Sequence, residues 1–485
     1  MDREKILEVY KQGPDAVVEL VQGLIKSFNE KLEELTFRIK HLEDQLAKNS
    51  TNSHKPPSSD GLKKKVKKTK TLRKRSGKKP GGQEGHKGKT LQYSNNPDII
   101  IEHKIDSCNK CGNGLKKVKP FGTKKRQVKD IKIELITTEH IVHVVDCPIC
   151  NSKNEASFPE GVEKKVQYGS RIKSLMVYLS QYQLIPYLRA AELISDLTGE
   201  LISPGTIFNT NKNCFNRLEK VELEIVQLLL DSDFAHFDET GMRCESKTQW
   251  LHTIATEQLS FFNIHKKRGG VAMDDIGFLK KYNGTAVHDF FKSYLNYLCS
   301  HAYCNAHILR ELVFTFERFT QKWAKEMSSF LLKIKKRVES SKKKNGLSFN
   351  KGTIARFNEE YTKIIKKGLK QNPEIKIREN GKKRGRIKQS FSRNLLLRLK
   401  EHRDEVLAFM YDFNIPFDNN EAERTLRMSK VKQKISGCFR SLEGARIFCR
   451  IRGFISTAKK RSYNILESIE LAFTGDPLLI LKENS

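Results

Sequence analysis

Three acidic side chains lie where the sequence predicts the ends of regular elements. Asp238 and Asp289 close short, mostly apolar stretches that are typical of β-strands, and Glu423 lies in the first turn of a predicted helix. Functional sites in α/β sheets usually lie at strand ends, and carboxylate oxygens are the ligands that Mg²⁺ prefers. The three acids therefore predict a divalent-cation site at one edge of a sheet.

The helix that carries Glu423 is predicted from the Asx residues at 418–420, because such side chains cap the free amides of a helix N-terminus. Spacings of four, three and four place the acid on one helical face with basic residues, which are Arg427, Lys430 and Lys434. One carboxylate above a basic stripe suits an acid that helps to hold a metal while the cations bind a polyphosphate backbone. The basic stripe thus indicates a substrate with a polyphosphate backbone.

Two Cys-x-x-Cys pairs predict a structural metal site, and they are formed by Cys108, Cys111, Cys147 and Cys150. Each pair presents two thiolates from one tight turn, and two such turns complete a tetrahedral zinc site. Alternating apolar residues from Val128 to Val145 predict a β-hairpin that brings the pairs together. Four unconnected thiols remain the alternative, and possible substitute ligands are His103, His140 and His143.

Composition favours a nucleic-acid partner. The chain has 485 residues, which favours two to four domains, and its 90 Lys and Arg against 57 Asp and Glu give a net charge of +33. There is no run of 18 apolar residues and the N-terminus lacks the apolar core of a signal peptide, so we expect no membrane partner and a cytoplasmic location. In that reducing compartment, clustered cysteines indicate metal binding rather than disulfides.

The N-terminal segment has apolar residues in alternating steps of three and four, at Val18, Val21, Ile25, Phe28, Leu32, Leu35, Ile39, Leu42 and Leu46. This heptad pattern predicts a coiled coil that pairs protomers; the alternative is one amphipathic helix lying on the chain's own core. The next segment, 49–90, is rich in Asn, Ser, Pro, Gly and Lys, which is typical of a linker. Its lysines also suit contacts with a DNA backbone.

The acids require an α/β core to position them, and four strands are predicted, over Phe234 to Thr240, Trp250 to Ala255, Ser260 to His265 and Thr285 to Asp289. Because strand side chains alternate, Glu239 should point away from Asp238. A second zinc site from His301, Cys304 and His307 is conceivable, but a packed strand-to-helix junction is the preferred interpretation. Residues 313–410 are helical and basic, so they read as an insertion between the second and third acids.

These patterns predict a multidomain chain of mixed α and α/β class. Tyr187 to Leu197 and the helix after Ser203-Pro204 suit a DNA-reading helix-turn-helix, but an ordinary packing pair of helices is the preferred alternative. In chain order we expect a coiled-coil helix (1–48), a basic linker (49–90), a zinc-binding module (91–165), a helical DNA-binding region (166–230), the first part of a catalytic core (231–312), a helical insertion (313–410), the second part of the core (411–475) and a tail (476–485).

A family resemblance rests on the order of several motifs: the polar stretch Asn49 to Asp60, the two cysteine pairs, Phe237-Asp238-Glu239-Thr240, Val287-His288-Asp289, His301-x-x-Cys304-Asn305-Ala306-His307-x-x-Arg310-Glu311-Leu312, Asn419-Asn420-x-x-Glu423-Arg424 and Lys434-x-Ser436-Gly437-Cys438-Phe439-Arg440-Ser441. Together they resemble the bacterial insertion sequence sixty-six transposase family, from about residue 30 to 475. The resemblance implies a ribonuclease H-like core with a DDE metal triad of Asp238, Asp289 and Glu423. It excludes Glu421, because the family's glutamate directly precedes an arginine.

The resemblance also implies partners and cofactors. The zinc module and helical region would help to recognise the terminal inverted repeats of double-stranded DNA, and small companion proteins accompany the family. Two Mg²⁺ or Mn²⁺ ions would serve cleavage by water and then attack of the 3′-hydroxyl on target DNA, with Asp238 bridging both ions and one structural Zn²⁺ in the cysteine module. The residues expected to bind phosphates are Arg424, Arg427, Lys430, Lys434 and Arg440. We expect a homodimer or higher oligomer on the bacterial nucleoid.

Two functions of other classes remain open. A nuclease or junction resolvase with the same core would cleave DNA without joining it. A non-catalytic zinc-finger regulator would bind DNA, and its acids would be structural.

Overall fold

A computed structural model describes residues 3–47, 90–375, 387 and 389–482 of the chain. It divides into two compact units, of which the smaller comprises Thr71–Glu163 with Ser195–Glu200, and the larger comprises Met1–Lys70, Lys164–Ile194 and Leu201–Ser485. The predicted linker lies almost wholly outside the described residues. The chain is a mixed α/β protein, as the sequence predicts.

The smaller unit contains one short antiparallel hairpin, β1 (Val144–Asp146) with β2 (Lys153–Glu155). The hairpin predicted over Val128 to Val145 is wrong, because residues 128–143 form no strand. Their apolar side chains alternate but stay in solvent, with Val128 92% and Ile131 83% exposed. An isolated strand pair is only marginally stable unless its apolar face packs against another element. Alternating apolar residues alone do not supply that packing partner.

The N-terminal residues form α1 (Arg3–Lys11) and α2 (Pro14–Ala47). Helix α2 includes the whole heptad pattern, and the described heptad side chains remain exposed, from 46% at Val21 to 66% at Phe28. This apolar stripe therefore does not lie on the chain's own core. The predicted coiled coil stays a prediction.

Residues 166–230 are largely helical, as predicted, with α3 (Ser170–Val177), α4 (Tyr187–Thr198), α5 (Pro204–Arg217) and α6 (Glu219–Leu230), and a π-helical turn over Tyr178–Tyr182. Their role in DNA binding stays a prediction. Helix α5 begins as predicted: the Ser203 side chain accepts a hydrogen bond from the amide of Thr206, and Pro204 occupies the first turn. The proline needs no hydrogen-bond partner for an amide there.

A five-stranded sheet forms the centre of the larger unit, with strands β3 (Phe234–Cys244), β4 (Lys247–Ala255), β5 (Ser260–His265), β6 (Thr285–His288) and β7 (Ser300–Tyr303). The spatial order is β5-β4-β3-β6-β7. The first three strands are antiparallel, whereas β6 runs parallel to both β3 and β7. The short helix α7 (Gly270–Ile276) connects the two halves of the sheet.

Three helices follow the insertion in sequence: α14 (Asn420–Ser436), α15 (Leu442–Lys460) and α16 (Ile465–Thr474). Helix α14 packs on β3 and β4 and helix α15 packs on β5, whereas α16 packs on α3 and α15. Helix α15 approaches β5 so closely that a Cβ at Gly453 would lie 3.1 Å from the Ser260 carbonyl oxygen. Phe454, on the same helix, packs into one buried cluster with Phe237 of β3. The core thus fixes the strand from which the first acid projects.

The insertion is helical, as predicted, and it begins within α8 (Asn305–Phe319). Its further helices are α9 (Lys322–Lys342), α10 (Lys351–Gln371), α11 (Phe391–Glu401), α12 (Arg403–Val406) and α13 (Ala408–Tyr411). It has its own buried cluster, which includes Trp323, Tyr361 and Phe413. The basic stretch Lys382 to Arg386 lies outside the described residues. None of the described helices has the length and apolar character needed to cross a bilayer.

Candidate active site

The first two acids lie close to the point where the parallel pairing of β3 with β6 ends. In the register of β3 and β6, Ala235 pairs with Ala286 and His236 with Val287. Continuing that register by two residues brings Asp238 opposite Asp289, on strands about 4.8 Å apart. The continued register therefore makes the two acids neighbours, and the charge of Asp289 acts on Asp238; that they form one metal site stays a prediction.

Asp289 follows β6 directly, as predicted, but Asp238 does not end its strand. Strand β3 continues to Cys244, and Asp238 pairs with Thr253 of β4 in its middle. The acidic and polar residues after Phe237 predicted that β3 would end there. Instead, pairing with β4 continues β3 beyond the point where β6 stops. The site therefore lies at the end of β6 and at the middle of β3.

Glu423 reaches the sheet through an anchor that the sequence did not reveal. Asn419, only 1% exposed, donates its side-chain amide to the Phe237 carbonyl at 2.7 Å. Its side-chain oxygen lies 2.8 Å from His236 Nδ1, and its backbone amide donates to Cys304 Sγ at 3.1 Å. Glu423 lies one helical turn after Asn419, so this network holds the helix start against the strand that carries Asp238.

The predicted capping role of the Asx residues is therefore only partly right. Asn419 is the N-cap residue, but its side chain makes no capping hydrogen bond. Asp418 accepts a hydrogen bond from the Asn420 amide instead, at 3.2 Å. The Asn419 side chain is engaged by the buried strand.

Side chains of α8 surround the Glu423 carboxylate. Its Oε1 lies 3.4 Å from Arg310 Nη2 and 3.8 Å from His307 Nε2. Cys304 Sγ, His307 and Glu423 offer donor atoms within 4.8 Å of one another, a set that suits a transition metal better than Mg²⁺. Burial raises the pKa of the Cys304 thiol to about 12. Arg310 adds a positive charge beside the Glu423 carboxylate, so α8 supplies a counter-charge to this acid. His301 is elsewhere, 3.0 Å from His288.

Electrostatics link the three acids. Enclosure by the protein raises the pKa of Asp238 well above its usual value, and the charges of Glu239, Asp289 and Glu423 raise it further. A carboxyl group with this surplus of negative charge around it gains stability from a bound cation. The chemistry of these three side chains thus suits ligands of a divalent metal. Among the described residues, however, the carboxylate oxygens of Asp238, Asp289 and Glu423 do not all lie within 4.8 Å of one another.

Glu239 has a different partner set, in keeping with its predicted opposite direction. Arg268 Nε donates to its carboxylate at 2.7 Å, and the Tyr294 hydroxyl donates at 2.6 Å. The Arg268 guanidinium also lies over the rings of Phe291 and Trp250, at 4.2 and 5.1 Å. Glu239 is therefore held by an ion pair and a hydrogen bond within the fold.

The other rejected acid, Glu421, is also paired. Its carboxylate lies 3.0 Å from Lys460 Nζ and 3.6 Å from Arg424. Lys460 in turn donates to the carbonyls of Thr256 and Leu259. Glu421 thus ties α14 to α15 and to the end of β4, away from Glu423.

The predicted phosphate-binding residues differ in their surroundings. Lys430 is half-buried and donates to the Gly241 carbonyl of β3, and burial lowers its pKa. The others are exposed: Arg424, Arg427, Lys434 and Arg440. Lys430 therefore has a structural contact that the helical spacing could not predict, while the exposed residues remain available to a polyanion.

Each cysteine pair forms the same kind of turn. The carbonyl of the first cysteine accepts from the amide four residues later, at 2.9 Å in both turns. The residue that donates has a left-handed backbone in each, with φ of +70° at Gly112 and 53° at Asn151. The Cys111 amide lowers the pKa of Cys108, and the Ser152 hydroxyl lowers that of Cys150. Among the described residues no three of the four sulfurs lie within 4.8 Å of one another.

Sequence reasoning missed Asn419 and Arg310 as parts of the site. Arg310 lies six residues after Cys304, on the same side of α8 as His307, and this helical spacing was a usable signal. Asn419 gave no comparable signal, since an Asn at a helix start is most simply read as a cap.

Two family models match the chain. The model described as the transposase IS66 family matches residues 165–447, which is more than half of the chain. A family of unknown function (DUF6444) matches residues 12–92. No curated protein shows a significant match.

Proposed function

This chain belongs to the transposase IS66 family, and on that premise we propose that it is a DDE-type DNA transposase of a bacterial insertion sequence. It would bind the terminal inverted repeats, cleave the DNA and join the exposed 3′-hydroxyl to target DNA. The observation that supports the proposal is the register of β3 and β6, which pairs His236 with Val287 and, continued by two residues, brings Asp238 opposite Asp289. The charges of Asp289 and Glu423 both raise the pKa of Asp238, as expected of neighbouring acids.

The fold that we propose for the catalytic unit is ribonuclease H-like. Three antiparallel strands followed by two parallel ones, in the order β5-β4-β3-β6-β7, support it. A helical insertion between β7 and α14 supports the assignment of the third acid, because the long separation from Asp289 to Glu423 is a folded module.

In the proposed mechanism Asp238, Asp289 and Glu423 would hold two Mg²⁺ or Mn²⁺ ions. The ions, when bound, supply activation of the attacking oxygen and stabilisation of the leaving oxygen in an in-line displacement. Asn419 keeps Glu423 at the sheet through Phe237. Glu239 is not proposed as a metal ligand, since Arg268 and Tyr294 already occupy its two carboxylate oxygens.

DNA binding would use the basic surface beside the acids. Arg424, Arg427, Lys434 and Arg440 are exposed on or just after α14 and would bind backbone phosphates. We assign Lys430 a weaker role there, because it donates to Gly241. The cysteine module with one Zn²⁺ and the helices α3 to α6 are proposed to help read the inverted repeats.

The exposed apolar stripe of α2 is proposed to pair protomers, so that two transposon ends can be held together. Its described side chains are at least 46% exposed. Apolar stripes of this length are stabilised by a second helix. Small companion proteins are further proposed partners.

The test is a joining assay with the DNA that flanks the gene. Asp238→Ala, Asp289→Ala and Glu423→Ala should each abolish strand transfer and leave binding to the DNA ends largely intact. Glu421→Ala is the matched control, because it removes a carboxylate from the same helical turn but from the side that faces Lys460. A triad variant that still joins DNA efficiently removes that residue from the site. Hydrolysis without joining would identify a nuclease or resolvase instead.

A further inference from the structure

The ion pair between Arg310 and Glu423 is long and open to solvent. A single contact of 3.4 Å joins Arg310 Nη2 to Glu423 Oε1, and the side chains are 34% and 35% exposed. His307, on the same side of α8, keeps its Nε2 3.8 Å from that oxygen. Partly exposed pairs of this kind contribute little to stability and exchange readily.

A second arginine–glutamate pair near the site has the opposite character. Arg268 approaches Glu239 to 2.7 Å, and the Glu239 side chain is only 1% exposed. The Tyr294 hydroxyl occupies the other carboxylate oxygen. This pair is fixed by burial, so of these two arginines Arg310 is the one that can leave its acid.

We propose that Arg310 is an exchangeable counter-ion, which holds Glu423 in the DNA-free protein and moves to a DNA phosphate when the substrate enters. The departure of Arg310 leaves Glu423 available to the divalent metal. The inference rests on the proposed function, in which Glu423 is a metal ligand. Metal binding and DNA binding are then coupled, and the protein without DNA has a weakened metal site.

The chemistry of the arginine favours this exchange. A guanidinium offers a planar fork that matches two phosphate oxygens, whereas it makes one long contact with Glu423. While Arg310 stays 3.4 Å from Glu423 Oε1, its positive charge also repels a divalent cation at that oxygen. DNA therefore offers Arg310 a better partner, and its movement removes that repulsion.

The experiment measures Mn²⁺ binding to the full-length protein from the electron paramagnetic resonance signal of free Mn²⁺. Without DNA, Arg310→Gln should bind Mn²⁺ about two- to fivefold more tightly than the wild type, the upper part of the range for partly exposed charge pairs. Addition of a duplex with the DNA that flanks the gene should raise the wild-type affinity to that of the variant. Mn²⁺ is a hard ion, so the cysteine module does not interfere.

Two variants serve as controls. Arg318→Gln removes the same charge from α8 but two turns further along, beside Glu43, and should bind Mn²⁺ like the wild type. Arg310→Lys retains a positive charge at the site and should keep most of the weak binding. Asp238→Ala should remove the Mn²⁺ site in either background, which identifies the ion that is being measured.

The outcomes separate this inference from the proposed function. If Arg310→Gln binds Mn²⁺ no more tightly than the wild type, or if DNA leaves the difference unchanged, the exchange is overturned while the metal site stands. If no variant shows Mn²⁺ binding that depends on Asp238, the metal site is overturned together with the exchange.

Discussion

The side-chain amide of Asn419 donates a 2.7 Å hydrogen bond to the carbonyl of Phe237, the residue directly before Asp238. Two elements that are 182 residues apart are joined at this point. The same side chain contacts His236, whose pKa is lowered by burial, so that a neutral ring faces the amide. One buried asparagine thus sets the position of the Glu423 helix relative to the first acid.

Asn419→Ala should therefore impair both the fold and the chemistry. Loss of a buried hydrogen-bonding side chain costs about 1–3 kcal/mol, which chemical denaturation would measure. Strand transfer should fall further than the change in stability explains, because Glu423 loses its anchor. Asn420→Ala is the matched control, since its side chain lies outside this network. Equal losses in the two variants would show that Asn419 has no special role.

Most strands and helices of the core were predictable from local patterns. Ser260 to His265 and the cap of α5 at Ser203 match the structure, because alternation and capping act over a few residues. The extension of β3 to Cys244 was not predictable, since it depends on pairing with β4. The same limit hid the role of Asn419, whose partners come from a distant strand.

Lys430 and Lys434 also show that local spacing does not reveal contacts with distant strands. Both satisfy the helical spacing, but Lys430 donates to Gly241 while Lys434 is exposed. Lys434→Met should weaken DNA binding and reduce the slope of log affinity against log salt by about 0.9, the contribution of one phosphate contact. Lys430→Met should lower stability and leave that slope nearly unchanged. A salt titration of DNA binding distinguishes them, and the reverse pattern would contradict this assignment.

The cysteine turns predict a zinc-dependent small unit. The two turns share hydrogen bonds and a left-handed residue, yet many apolar side chains of the unit are exposed, such as Phe121 and Ile136. A unit with so little core needs the metal, which typically contributes on the order of 10 kcal/mol to folding. Purified protein should contain one zinc per chain by elemental analysis, and Cys108→Ser should lose it. Cys438→Ser, outside the pairs, should retain it; absence of zinc from the wild type would refute the prediction.

A buried lysine gives the fold a defined pH dependence. Lys432 is 9% exposed, between the rings of Phe439 and Phe448 at 5.2 and 5.5 Å, and burial lowers its pKa from 10.5 to about 8. The folded state therefore binds fewer protons than the unfolded state between pH 8 and 10.5, so stability should rise with pH across that window. The shift corresponds to about 3 kcal/mol at most.

Lys432→Met should remove this dependence, since methionine fills the same space without a charge. At pH 7 the variant should be more stable than the wild type by about 1–3 kcal/mol, and the advantage should shrink as the pH approaches 10. Urea denaturation at several pH values measures both effects. Lys434→Met, an exposed neighbour, should show the wild-type pH profile. A constant difference between Lys432→Met and the wild type across this range would show that Lys432 keeps its charge at little cost.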